Sequence, residues 1–334
     1  MDEKTVGAAA RRINRFLASC LIAAAGLSAT AGAVAQTWPT KPIRFIVPYP
    51  AAGGTDIVAR LVGAKISQKF GQPVIIDNKP GASSIIGTDL LAKAPPDGYT
   101  MGLITGSHAI NPMFFPKLPY DTLKDFDMVS QLVSQPMVLV AHPSLNLKSV
   151  QDLVELAKSR PGKLNYASIG NGSPHNLAME WLKSLTGADL THVPYRGVAP
   201  AVNDLVGGQI DAMFVASASA EQFVKSGRLT VLAVASAKRE PAFPNVPTVA
   251  ESGVPQFDLA TWYALAVPAG TPRNIRVRLS QEVALALEQP DVKEKLAAMG
   301  AVGTPTSPDD TTAFMAREVQ KWSRIIKLTG AKPE

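Results

Sequence analysis

Short apolar runs alternate with longer segments whose apolar residues recur every three to four positions, from Ile43 to the C-terminal end. The short runs predict strands at Ile43–Val47, Val74–Asp77, Thr100–Thr105, Met128–Leu132, Met137–Ala141, Leu164–Ser168, Ala212–Val215, Leu229–Ala235 and Tyr263–Val267. Several are unbroken apolar blocks, which suits a parallel sheet covered on both faces. The longer segments predict helices with recognisable ends. Val58, Leu61, Val62 and Ile66 share one face, and Gly71 and Pro73 stop that helix. Ser149 opens a helix as a cap, and Ser173-Pro174 and Ser307-Pro308 each supply a cap followed by a first-turn proline. The stripe Phe314, Trp322, Ile325 and Ile326 at helical spacing reads as core.

This alternation predicts an α/β chain, and 334 residues suit two domains better than one. Two extended stretches, Ser134-Gln135-Pro136 and Asp258-Leu259-Ala260-Thr261, are the expected crossings between them. Residues 36–136 and 260–334 would form one domain and residues 137–259 the other. A cleft with two crossings behind it is built to close like a clamp.

Ahead of the first strand, Arg11, Arg12 and Arg15 precede an apolar, small-residue stretch from Phe16 to Val34. It ends in Ala33-Val34-Ala35, an A-x-A site, so residues 1–35 read as a cleaved signal peptide. Removing them takes the chain from +6 to about +4. The charges are scattered and aromatics make up 6%, which argues against a nucleic-acid partner. Cys20 is the only cysteine and leaves with the leader, which excludes thiol catalysis, disulfides and Cys-ligated metal in the mature chain. His108, His142, His175 and His192 form no pair at metal-ligand spacing, so neither a metal nor a cofactor is expected.

Chemistry concentrates in loops that follow strand ends, where open α/β sheets bind ligands. They are Pro50-Ala51-Ala52-Gly53-Gly54-Thr55-Asp56, Pro80-Gly81-Ala82-Ser83-Ser84, Thr105-Gly106-Ser107-His108, and Ser168-Ile169-Gly170-Asn171-Gly172-Ser173-Pro174-His175. Each is rich in glycine or hydroxyls. The first, second and fourth lead towards helix starts, whose unpaired N–H groups and partial positive charge suit an anion. Such loops are also ordinary capping turns when taken singly. None extends to G-x-G-x-x-G or carries a Walker lysine, so a nucleotide is not expected.

With those loops in view, the chain resembles the solute-binding proteins of tripartite tricarboxylate transporters, the Bug-type receptors. The resemblance lies in Val47-Pro48-Tyr49 with Gly53-Gly54 and Asp56, Asn78-Lys79-Pro80-Gly81-Ala82, Pro96-Asp97-Gly98-Tyr99-Thr100, Pro161-Gly162-Lys163-Leu164-Asn165-Tyr166-Ala167-Ser168, His192-Val193-Pro194-Tyr195-Arg196-Gly197 and Gly208-Gln209-Ile210-Asp211. It implies a type II periplasmic-binding-protein-like fold with a cleft between two domains. It also implies capture of a small organic acid in the periplasm, as a monomer, and delivery to a membrane permease. The acid could be a di- or tricarboxylate, an amino acid or an aromatic carboxylate. Tyr49, Gly53, Gly54, Thr55, Asp56, Ser83, Ser84, Thr105, Ser168, Ser173 and Asp211 are the positions this resemblance points to. Ser83-Ser84 departs from the family, where a glycine often follows Ala82.

Several residues suit two roles. Asp56 fits a ligand or water contact, or a first-turn acid favouring its own helix. Arg196 fits a carboxylate fork or a loop tether. Asp211 fits a buried structural role or direct ligand contact, and His108 and His175 fit either anion contact or helix-start packing. A hydrolase with Ser83, Ser84 or Ser173 as nucleophile and His108 or His175 as base is a second reading, although no G-x-S-x-G elbow is present. A receptor that presents its ligand to a membrane sensor is a third.

Overall fold

The structure is a computed structural model that describes residues 38–240 and 242–331. The expected leader, residues 1–35, lies outside the described residues. From Lys41 onward the chain forms one mixed α/β sheet in two halves that share a long strand.

The first half-sheet holds β1 (Ile43–Val47), β2 (Val74–Asn78), β3 (Thr100–Thr105), the N-terminal part of β4 (Phe126–Ala141) and β9 (Ala260–Pro268). Its order is β2-β1-β3-β9-β4, and β10 (Val302–Gly303) joins the edge of β4. The second half-sheet uses the C-terminal part of β4 with β5 (Leu164–Ser168), β6 (Leu190–Pro194), β7 (Ala212–Ala216) and β8 (Thr230–Val234). The helices are α1 (Gly54–Phe70), α2 (Ile85–Ala92), α3 (Gly106–Phe114), α4 (Val150–Ser159), α5 (Pro174–Thr186), α6 (Val198–Val206), α7 (Ser217–Lys225), α8 (Arg273–Glu288), α9 (Pro290–Ala298) and α10 (Pro308–Thr329).

Alternation along β4 explains how helices cover both faces of the second half-sheet. Met137, Leu139 and Ala141 point into one apolar cluster, and Val138 and Val140 into another. Tyr166, Trp181, Phe214 and Phe257 fill the first cluster, and Val202, Leu205 and Ala220 the second. The expected caps form: the Ser149, Ser173 and Ser307 hydroxyls accept from the N–H groups of Asp152, Asn176 and Asp310. Gly71 and Gly187 close α1 and α5 in the left-handed conformation.

Two expectations change. The strands Met128–Leu132 and Met137–Ala141 are one continuous strand, and Ser134-Gln135-Pro136 runs inside it. Antiparallel β9 holds that stretch extended, with Gln135 opposite Thr261 and Pro136 opposite Ala260. Proline cannot donate to a ladder, and Pro136 stands where β4 passes from one set of partners to the other. The sheet is also mixed rather than parallel. The outer pairs β1/β2, β1/β3, β5/β6 and β5/β7 are parallel, whereas β4 and β9, which carry the chain between the halves, pair antiparallel.

Candidate functional site

A cavity of about 500 Å³ lies where the two half-sheets meet. The wall on the first half-sheet comes from the turn after β1, with Tyr49, Gly53, Gly54 and Thr55, and from the start of α3, with Thr105, Gly106 and Ser107. The opposite wall comes from Pro174 and His175 at the start of α5, Val198 at the start of α6, and Ala216 and Ser219 around the start of α7. Gln135 on β4 and Ala260, Thr261, Trp262 and Tyr263 on β9 form the floor, with Met299 and Trp322 beside them. The first turns of α1, α3, α5, α6 and α7 therefore face one space, and among the described residues no Asp, Glu, Lys or Arg side chain lines it.

The turn after β1 owes its shape to Asp56. This carboxylate is buried and accepts from Ala52 N–H at 2.9 Å, Arg60 Nε at 2.9 Å and Asn78 Nδ2 at 3.0 Å. The Arg60 hydrogen bond, followed by those from Ala52 and Asn78, holds its carboxyl below the usual range against the opposing effect of burial. Asp56 thus ties the turn to the end of β2 rather than lining the cavity. Ala52, not a glycine, takes the left-handed conformation at φ 64°. Gly53 is extended, and a Cβ on Gly54 would stand 3.4 Å from the Tyr263 hydroxyl. Gly54 keeps this wall thin, because a side chain there would point at the floor, whereas a Cβ on Gly53 would meet Pro50 O of the same turn at 3.5 Å.

Several polar groups on the floor and first wall are paired. The Tyr49 and Thr105 hydroxyls are 2.6 Å apart, and the Tyr263 hydroxyl donates to Gln135 Oε1 at 3.2 Å. Burial, with the nearby Tyr49 phenol adding to it, pushes the Tyr263 phenol up to about 12. The floor is anchored from below by Glu318, whose Oε2 accepts from Trp262 Nε1 at 2.8 Å and Trp322 Nε1 at 3.2 Å.

Of the residues singled out in the sequence, Tyr49, Gly53, Gly54, Thr55, Thr105 and His175 line the cavity together. The others stand around it or away from it. Ser168 is buried, with its Oγ 2.6 Å from His192 Nε2 while also accepting from Gly170 N–H. Ser173 donates to Gly170 O and caps α5. These two serines shape the loop that presents Pro174 and His175. Ser83 and Ser84 lie in a run of left-handed residues at φ 52° and 74°, and Ser83 O accepts from Asn111 on α3. Asp211 Oδ2 accepts from Asn165 N–H and ties β7 to β5. Arg196 is exposed and outside the lining. His108 is buried under Tyr120 and Phe126, with Nε2 3.0 Å from Thr122 O, and burial pushes it down to about 4. Among the described residues neither His108 nor His175 hydrogen-bonds to Ser83, Ser84 or Ser173.

Several lining residues carry no signal of their own in the sequence. Ser107 and Gln135 sit inside segments singled out as a loop and a crossing. Ser219 and Met299 arrive only through tertiary packing, since Gly300 abuts Ala218 on α7.

The pattern of the family described as "Tripartite tricarboxylate transporter family receptor" matches residues 58–331. The chain is 39% identical over 313 residues to protein BugT of Bordetella pertussis, covering 93% of this chain and 95% of the relative. An R. palustris protein solved with adipate superposes with a TM-score of 0.76 at 35% identity, covering 89% of this chain and all of the other. The periplasmic binding protein BugD superposes with a TM-score of 0.72 at 30% identity, again over 89% of this chain and all of the other. The fold is that of two-lobed periplasmic solute-binding proteins, with the cavity in the cleft.

Proposed function

The chain belongs to the tripartite tricarboxylate transporter receptor family, and on that premise we propose that it captures a small organic carboxylate in the cavity and hands it to membrane permease subunits. One observation carries the reading: the first turns of α1, α3, α5, α6 and α7 converge on one cavity that no charged side chain lines among the described residues. Helix starts offer N–H donors and a partial positive charge, so they favour an anion without a cationic side chain. Each such contact is worth roughly 0.3–2 kcal/mol, and several aimed at one space add up to useful affinity. Tyr49, Gly53, Gly54, Thr55, Thr105 and His175 are the residues that would meet the ligand. Asp56, Ser168 and Ser173 would act by shaping the turns. Residues 36–136 with 260–334, and 137–259, would move as two bodies about the paired crossings on β4 and β9. The leader-like N-terminal sequence and the family support a periplasmic setting for this work.

A thermal-shift screen of the mature chain against dicarboxylic, tricarboxylic, amino and aromatic acids tests the proposal. Ligand at a thousandfold over Kd stabilises by about 4 kcal/mol, a shift of several degrees. No shift with any acid class would reject it. Capture of permease subunits from solubilised membranes only in the presence of the acid would support delivery, and capture of a sensor kinase instead would replace it.

A further inference from the structure

Two glycines beside the cavity stand where the half-sheets touch. Gly300 follows α9 and leads into β10 on the first half-sheet, and it faces Ala218 in the first turn of α7 on the second. A Cβ on Gly300 would stand 2.3 Å from Ala218 Cβ, 3.0 Å from Ala218 N and 3.1 Å from Ala218 Cα. Gly172, in the loop after β5, faces Phe114 at the end of α3. A Cβ there would stand 2.9 Å from the Phe114 ring, which is packed in the larger apolar cluster and is 7% exposed. Neither glycine is among the described residues lining the cavity, yet their neighbours are. Met299 precedes Gly300, Ala216 and Ser219 bracket Ala218, and Pro174 follows Gly172 by two positions.

We propose that Gly300 and Gly172 are positioning residues that let the two walls close on a bound carboxylate, so that a methyl group at either parts the walls and speeds the ligand's escape. The proposal rests on the carboxylate-receptor reading of the same cavity. Carbon atoms pack at about 3.5–4.0 Å, so an added methyl group must push its neighbour back by roughly half an ångström at Gly172 and about one ångström at Gly300. Ala218 has no rotamer to change and presents backbone as well as Cβ, so the start of α7 itself must shift. The Phe114 ring is hemmed in by its cluster. Hydrogen bonds from helix-start N–H groups form at about 2.7–3.2 Å and are lost by about 3.6 Å. A parting of that size loosens the bonds from the second half-sheet and leaves those from the first. The ligand then enters as before and is held for less time.

Stopped-flow fluorescence of the mature chain tests this, since Trp262 and Trp322 line the cavity and report its occupancy. The probes are the acids of the thermal-shift screen, with succinate, citrate, glutamate and benzoate as the first of each class. For every acid that binds the wild type, Gly300→Ala and Gly172→Ala should each raise the dissociation rate by at least about tenfold and leave the association rate within about twofold. Gly71 and Gly330 share the left-handed conformation, at φ 66° and 65°, but a Cβ on either meets nothing within 4 Å. Gly71→Ala and Gly330→Ala therefore carry the backbone strain alone, and should lower the melting temperature while keeping wild-type rates. Ala218→Gly added to Gly300→Ala removes the closest atom and should recover part of the slow dissociation. Should Gly300→Ala fail to fold, Gly172→Ala decides the matter. A wild-type dissociation rate in a folded Gly300→Ala or Gly172→Ala chain, or an equal rise in the two controls, would overturn this proposal and leave the carboxylate reading standing. Failure of the wild type to bind any acid of the four classes would remove the carboxylate reading and this proposal with it.

Discussion

At the entrance to α1, Asp56 gathers the Ala52 N–H, the Arg60 guanidinium and the Asn78 amide around one buried carboxylate. The turn that presents Gly53 and Gly54 depends on that arrangement. Replacing Asp56 with Ala leaves those donors facing a gap, at a cost of roughly 1–3 kcal/mol for each group that water cannot reach. Urea denaturation at neutral pH should show the loss. The pH dependence has a definite sign. A carboxyl held below its unfolded value contributes stability above that value, near 3.8, and loses it as pH falls through the folded one. The gap between wild type and Asp56→Ala should therefore narrow only below about pH 4. Asp56 was visible in the sequence as a first-turn acid. Its partner Asn78, at the end of the neighbouring strand, was not, because only the β1/β2 register places Asn78 beside Val47.

At the scale of elements, the floor of the cavity is a packing product. Glu318 on α10 accepts from the indoles of Trp262 on β9 and Trp322 one turn further along its own helix. Phe314 meets Trp262 edge-on, with ring centroids 5.1 Å apart. Glu318→Leu strands both indole N–H groups at roughly 1–3 kcal/mol each, while Glu318→Gln keeps an acceptor and should cost less. Thermal melts of the two variants give the comparison, and equal losses would contradict the shared-acceptor account. The spacing of Phe314, Trp322, Ile325 and Ile326 identified this helix and its buried face. Nothing in that spacing says that Trp322 also reaches a cavity, which depends on where β9 returns. The loops after β1, β3 and β5 were legible because glycine, hydroxyl and proline mark turns and caps. Their convergence with the starts of α6 and α7 was not, since the pairing of β4 and β9 brings the loops after β1 and β3 to ends that lie roughly 90 residues or more further along the chain.

For the whole molecule, burial of His108 and His175 has a global consequence. Both are held uncharged down to about pH 4, whereas in the unfolded chain they take up protons near 6.5. Between those values the unfolded state binds more protons, so stability falls as pH drops from about 6.5 to about 4. The slope should approach about 1.4 kcal/mol per pH unit for each histidine. Chemical denaturation across that range measures it, and His108→Asn or His175→Asn should each remove one histidine's share. A flat profile in the wild type would contradict the buried, neutral state of both rings.

The central claim is that helix starts from both half-sheets hold one carboxylate ligand in the cavity. Amide hydrogen exchange, with and without a saturating acid identified by thermal shift, tests it most directly. The account predicts protection together at Gly53–Thr55, Gly106–Ser107, His175–Asn176, Val198 and Ser217–Ser219, with little change on the outer faces of α1 and α8. Protection confined to one wall, or centred away from these helix starts, would contradict it.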